Sequence, residues 1–408
     1  MERTPTSYPE NPAPYFSAPL IAEFAKQMVD PPGGDDRIAL FFQGMLDVLH
    51  GREVPPELQH EVGVHLQILN TAILDSEIVP SYAANKLLRT FQKQFMYRNT
   101  GHEYPFTTRS VEPWRSGILT VLLTPRLNEV IQDLITRQTQ SNVVQRYNAL
   151  KFILTSCVSP DVAHPQLLDI GCSQNLGLKK IALGGAFEDV RIVEPRSNGN
   201  TRQNRRISYK YNSLSRSPFR IGRSMGVDLY DLRDEANAEW VYACSSYPSE
   251  LLNEARLEEA RQLKSMDVMN VSFTQSDISA ALRINTDVDG DIPERRLYDV
   301  AFASTVMYQM TKTEREKTCQ LVYDRLTPEG IMVIQDFVKL DSRQLRFSGP
   351  GSDKFTYRTV VKNKQTDFDK SEEIFIWETA RCTKAQLGLG QLMVAGRLLT
   401  VSDFLLPG

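Results

Sequence analysis

Two patterns of apolar spacing divide the chain. From residue 18 to 158, "SAPLIAEFAKQMV", "DRIALFFQGMLDVLHG" and "YAANKLLRTFQKQFMY" carry apolar residues at three- and four-residue steps, which predicts amphipathic helices. "PPELQHEVGVHLQILNTAIL" enters another helix through Pro55-Pro56. "RNTGHEYPFTTRSVEPWRSG" reads as a turn-rich loop. Thr124 then caps a helix with Pro125 in its first turn, running through "RLNEVIQDLITRQTQSNVVQRYNALKFIL". Nothing in this part alternates as a half-buried strand does.

From residue 166 the pattern changes. "QLLDIG" is a short buried strand stopped by Gly171, and "LGLKKIAL" a short helix ended by Gly184-Gly185. "DVRIVEP", "SMGVDLYD", "NVSFTQSDIS", "LYDVAFASTVMYQM" and "GIMVIQDFV" read as further strands. "PSELLNEARLEEARQL", with Ser249 as cap, and "KTEREKTCQLVYDRL" read as helices between them. Alternating strands and helices predict an α/β unit with a parallel sheet covered on both faces. "KFTYRTVVKN" and "EEIFIWETARCT" predict a terminal antiparallel pair. The expected organisation is a disordered tail over 1–17, a helical N-terminal cap or substrate domain over 18–158, and an α/β domain over 159–408. Within the last, the polar and basic stretch 195–223 reads as a surface insertion.

The chain has 408 residues, 24% of them charged, with a net charge of −3, so the molecule as a whole is not built to coat nucleic acid or an anionic membrane. No run of 18 apolar residues is present to span a bilayer, and the proline-rich start does not read as a signal peptide. The five cysteines are widely spaced with no CxxC pair, and the five histidines form no HxxxH pair. No structural metal is expected, and the compartment is read as reducing and cytoplasmic.

Candidate chemistry sits where parallel strands end, because open α/β sheets bind ligands outside the carboxyl ends of their strands. Asp169 closes the first strand of "LLDIGCSQNLG", and Gly171 lets backbone approach a ligand. Ser173 and Asn175 stand where a dinucleotide loop has glycines, but Asn175 adopts a left-handed conformation almost as glycine does. A ribose needs an acid at the end of the second strand, and two compete: Glu194, at the common spacing, and Asp228, after the basic stretch. Asp277 ends a further strand, where a carboxylate accepts from a purine amino group. Ser304 to Tyr308, in "ASTVMYQM", line the floor.

The series "LLDIGCSQNLG", "GVDLYDL", "FTQSDIS", "YDVAFASTVMYQM" and "LTPEGIMVIQDF" resembles the class I S-adenosylmethionine-dependent methyltransferases. More narrowly, "TQSNVVQR", "DIGCSQNLGL" and "RSMGVDLYDL" resemble a poorly characterised, methyltransferase-like bacterial family over roughly residues 120–340. The resemblance implies a Rossmann-like seven-stranded sheet with an antiparallel final strand, and S-adenosyl-L-methionine as cofactor. It decides for Asp228 as the ribose acid and places Asp277 and Ile278 beside the adenine. Gln140, Asn142 and Arg146 match the family's segment before the core, and Arg146 suits the methionine carboxylate. The expected reaction is methyl transfer by in-line displacement to a small or medium-sized organic acceptor. His102, Tyr308 and Asp336 are the candidate bases. Two alternatives stand beside it. One is a binding protein that keeps the fold without methylating. The other is an RNA or protein methyltransferase that docks through the basic stretch.

Overall fold

The computed structural model describes residues 15–75, 80–97, 105–137, 143–157, 164–173, 175–194, 201–217, 219–229, 234–245, 248, 254–284, 297–347, 356–394 and 397–405. The chain forms two compact units: residues 1–140 with 238–255, and residues 141–237 with 256–408.

The first unit contains α1 (Ala18–Val29), α2 (Asp36–Leu49), α3 (Gln59–Asp75), α4 (Pro80–Tyr97), α5 (Glu112–Leu122) and α6 (Arg126–Thr136). Asp35 starts α2 by accepting from the Arg37 amide at 3.0 Å, as an N-cap carboxylate does. The apolar stripes meet in an aromatic core. Trp114 packs edge-on against Phe41, Phe95 and Phe106 at centroid distances of 6.0, 5.9 and 5.4 Å. Helix α4 is buried almost all round, so its polar residues need partners inside the unit. Lys93 accordingly pairs with Asp133 at 2.8 Å.

Three expectations change here. The end of the stretch assigned to a loop, residues 112–117, instead opens the helix Glu112–Leu122, because Trp114, Ile118, Val121 and Leu122 supply a buried stripe. Thr124 makes no side-chain cap, since its hydroxyl donates back to Val121 O. The long helix predicted after it is two elements, α6 and α7 (Tyr147–Cys157), and α7 lies in the second unit. Of the expected tail, residues 1–14 lie outside the described residues, whereas Phe16 is buried in the helical core.

The second unit continues with β1 (Leu167–Ile170), α8 (Leu176–Ala182), β2 (Arg191–Val193), α9 (Thr201–Arg216) and β3 (Ser224–Asp228). The chain then passes through α10 (Glu235–Ser245), most of which belongs to the first unit, where Arg89 and Gln92 donate to Ala243 O at 3.3 and 3.0 Å. It returns with α11 (Glu254–Ser265), β4 (Val271–Gln275), α12 (Ile278–Ile284), β5 (Tyr298–Ser304), α13 (Lys312–Arg325) and β6 (Leu326–Asp341). The end is β7 (Gln344–Phe347), β8 (Thr356–Asn363), β9 (Asp367–Trp377), β10 (Lys384–Leu387), β11 (Gln391–Val394), β12 (Arg397–Thr400) and α14 (Val401–Leu405).

The sheet has the strand order β4-β3-β1-β5-β6 in its parallel part, the 3-2-1-4-5 order of a doubly wound Rossmann-like fold. It is larger than seven strands, because β8, β9, β10 and β2 extend it beyond β6 to ten strands, with β7 paired on β6. The antiparallel pair expected near the C-terminus is β8 and β9. Alternation along each strand separates two cores. Leu167, Val300, Phe302 and Val333 face α7, α8 and α9, and Leu168, Ile170, Ala301, Ala303 and Met332 face α12 and α13.

Thr201–Arg216 is a helix that buries Ile207, Tyr211 and Ser215, with Tyr211 stacked on Phe152 at 4.8 Å. Among the described residues, no helix is long and apolar enough to cross a membrane.

Candidate functional site

The turn after β1 is built from three left-handed residues: Gly171 (φ 68°), Ser173 (φ 52°) and Asn175 (φ 58°). The amides of Gly171 and Cys172 both donate to Val227 O, at 2.9 and 3.3 Å, and the Ser173 amide donates to Asp228 Oδ2 at 2.7 Å. Asn175 adopts the backbone conformation expected of it and adds a link the sequence does not show. Its Nδ2 donates to Ser272 O at 3.1 Å, across β3 to β4. That path is open because Gly226 has no side chain. A Cβ there would lie 2.6 Å from Cys172 Sγ and 2.7 Å from Asn175 Cγ. The cost of a non-glycine left-handed residue, about 1–2 kcal/mol, is offset by this bond and packing. Gly171 is needed twice, for its positive φ and because a Cβ would lie 2.8 Å from Val306 Cγ2 on the turn after β5.

Asp169 and Asp228 end neighbouring parallel strands on the same face, since Asp169 pairs in register with Gly226 and Asp228 lies two residues on. Tyr147 of α7 donates its hydroxyl to Asp169 Oδ2 at 2.6 Å. The other oxygen, Oδ1, is buried without a hydrogen-bond partner, as are Ser173 Oγ and Asn175 Oδ1. Burial pushes the Asp169 carboxyl up to about 8. The Tyr147 hydrogen bond opposes this and the Asp228 charge adds to it. Burial and the neighbouring Asp169 also hold the Tyr147 phenol well above its usual value.

A second group lies at the ends of β5 and β6. Arg146, 6% exposed, donates through Nε to Ala380 O at 3.0 Å and through a terminal nitrogen to Thr305 Oγ1 at 2.7 Å. Its guanidinium stands 5.7 Å from the Tyr357 ring centroid, and the Tyr357 hydroxyl is 3.2 Å from Ser304 Oγ. Thr305 has φ 55°, uncommon for a β-branched residue. Its amide donates to Gln335 O and its carbonyl accepts from Gln309, which holds the strained turn in place. Asp336, fully buried on the other face, accepts from the Tyr308 and Phe337 amides at 3.1 and 2.8 Å. Burial pushes it up to about 7, against those hydrogen bonds.

The structure therefore brings together Arg146, Asp169, Gly171, Ser173, Asn175, Asp228 and Ser304 at the carboxyl ends of β1, β3 and β5. Tyr308 lies in the short turn after β5, its ring edge-on to Phe337 at 5.5 Å. Asp277 is exposed and caps α12, accepting from the Ser279 and Ala280 amides at 2.8 and 3.3 Å. Ile278 is buried in the core between the sheet and α12. His102, Gln140 and Asn142 lie outside the described residues. Glu194 is removed from the competition: β2 sits at the far edge beside β10, six strands from β1 and running opposite to it. At a strand spacing of about 4.8 Å, that is roughly 29 Å away. Tyr147 and Tyr357 were not singled out from sequence, and Thr305 entered only as part of the Ser304–Tyr308 stretch. Only the need for glycine at Gly177, where a Cβ would overlap the Tyr147 ring, hints at the first.

A family model described as "Uncharacterized protein conserved in bacteria (DUF2332)" matches residues 107–335. No curated protein matches the chain. Among solved structures, PKMT2 from Rickettsia typhi in complex with AdoHcy is 15% identical, with 50% of this chain and 27% of that chain covered, at a TM-score of 0.23. The N-methyltransferase NodS from Bradyrhizobium japonicum WM9, in complex with S-adenosylhomocysteine, is 13% identical, with 63% and 75% covered, at a TM-score of 0.24. The glycopeptide N-methyltransferase MtfA, in the same kind of complex, is 10% identical, with 53% and 62% covered, at a TM-score of 0.25. This chain spans 27–33% of the length of the first three structures it matches. The match over residues 107–335 takes in the Asp169 turn, Asp228 and the end of β5, and the chain belongs to this bacterial family.

Proposed function

We propose that this protein is an S-adenosylmethionine-dependent methyltransferase acting on a small or medium-sized organic acceptor in a reducing, cytoplasmic compartment. One observation carries the reading. Asp169 and Asp228 end adjacent parallel strands around a left-handed turn, beside the β1/β5 point where the strand order reverses, which is where such sheets bind ligands. The residues fit that cofactor. The turn leaves an acceptor atom, Asn175 Oδ1, buried without a donor, and the cofactor's ammonium and ribose hydroxyls are donors. When bound, S-adenosylmethionine supplies the methyl group and a thioether leaving group.

The protein's own residues then have positioning tasks. Asp228 holds the turn through the Ser173 amide and accepts from the ribose hydroxyls. Arg146 offers a fixed, buried guanidinium to a carboxylate of the methionine moiety, oriented by Thr305 and Ala380. Asp336 holds the turn that carries Tyr308 through that residue's amide and is sealed from solvent. Tyr308 and His102 remain the candidate bases for an acceptor that must lose a proton. Asp277 and Ile278 border the adenine through the start of α12.

Titration calorimetry with S-adenosylmethionine and S-adenosylhomocysteine, followed by methyl transfer from labelled cofactor across an acceptor panel, tests the proposal. Binding with turnover is the expected result. Binding without turnover points to a protein that keeps the fold as a binding module. No binding of either compound rejects the reading.

A further inference from the structure

Helix α9 carries five basic residues and no acidic one in a chain whose net charge is −3. At 100° per residue, Arg202, Arg205, Arg206, Tyr209 and Arg216 fall within a stripe about 100° wide, opposite the buried Ile207 and Tyr211. Arg202, Arg205 and Arg206 are exposed, and Tyr209 is 78% exposed. Of these arginines only Arg216 has an ion pair among the described residues, with Asp189, and the nearby Glu194 accepts from Gln203. Concentrated charge of one sign on a helix anchored by its opposite face attracts anionic partners.

We propose that the outer face of α9 binds single-stranded nucleic acid. The choice rests on Tyr209, which stands one helical turn beyond Arg205 and Arg206. An exposed ring between guanidinium groups suits an unstacked base next to phosphates. A membrane partner would need an apolar face to insert, and that face is already buried as Ile207 and Tyr211. The surface lies at the sheet edge remote from the Asp169 turn, so its binding does not depend on the methyl-transfer reading.

The test is fluorescence anisotropy of the full chain with a labelled single-stranded oligouridylate, without cofactor, across a salt series. Neutralisation of about four phosphates by Arg202, Arg205, Arg206 and Lys210 gives a slope of log K against log salt near −3, at about −0.7 per phosphate. Arg202→Gln, Arg205→Gln and Arg206→Gln together lower that slope to about −0.7. Tyr209→Ala weakens binding by about five- to 150-fold and leaves the slope unchanged. The substituted side chains Arg202, Arg205, Arg206 and Tyr209 are solvent-exposed, and unchanged thermal unfolding of the variants shows that the fold is kept. The proposal is overturned if the intact chain does not bind, if Tyr209→Ala has no effect, or if a duplex binds as tightly as the single strand. It is also overturned if an acidic peptide or anionic vesicles are bound and the oligonucleotide is not.

Discussion

Asp228 joins two roles in the proposed site: its carboxylate pins the turn, and the proposal has it accept from the cofactor as well. Asp228→Ala leaves the Ser173 amide buried without its 2.7 Å acceptor, a loss of about 1–3 kcal/mol in stability. It also removes a charged acceptor for two ribose hydroxyls. At about 1.5–3 kcal/mol for each hydrogen bond to a charged group, binding weakens by at least about 100-fold. Asp228→Asn separates the roles. Its side-chain oxygen still accepts from Ser173, so the fold is kept, while the lost charge weakens binding by about tenfold or more. Calorimetry with S-adenosylhomocysteine reads affinity, and thermal unfolding of the same samples reads the turn. Wild-type affinity in Asp228→Asn, or a loss of less than about threefold in Asp228→Ala, would refute the assignment of this acid.

Asp169 makes stability depend on pH. Its folded carboxyl is raised to about 8, so the native state holds a proton that the unfolded chain releases near its ordinary value of 3.8. The contribution is full at low pH and is lost as pH rises towards 8, at no more than about 1.4 kcal/mol per pH unit. Asp336, raised to about 7, acts in the same direction over the lower part of that window. Urea unfolding of Asp169→Asn is therefore expected to lose most of the slope between pH 7 and 8, where Asp169 is the larger contributor of the two; an unchanged slope there sinks the idea. Gly177→Ala drives a methyl into the buried Tyr147 ring, which the Asp169 hydrogen bond keeps from swinging aside. The cost is about 1–3 kcal/mol and a melting temperature lower by roughly 2–12 °C, read by calorimetric scanning. Glu194→Ala, at the far sheet edge, is expected to leave S-adenosylhomocysteine affinity unchanged, and a tenfold loss would contradict the strand order as the basis of the site.

The chain's own pattern determined the helical first part, the alternating strands and helices that follow, and the left-handed turn at Asn175. These are local: periodicity, a stop at Gly171 and a residue that tolerates positive φ suffice. The acid for the ribose was not local. Glu194 and Asp228 both end short strands after the turn; the family resemblance chose Asp228, and the physical ground for that choice is the pairing of β3 with β1, with β2 carried to the opposite edge. The basic stretch was equally ambiguous, because helical spacing of Ile207 and Tyr211 among so many polar residues becomes legible only once Phe152 and Phe375 are there to cover them. The long helix predicted through residue 154 failed for the opposite reason: its periodicity is real on both sides, but tertiary packing assigns α6 and α7 to different units. The bond between Tyr147 and Asp169, the strained Thr305 under Arg146, and the sealed Asp336 are products of distant segments meeting. Sequence spacing sets which face of an element is apolar. Which polar groups end up buried against one another, and hence which carboxyls are raised and which amides are held, depends on how the strands are ordered in the sheet.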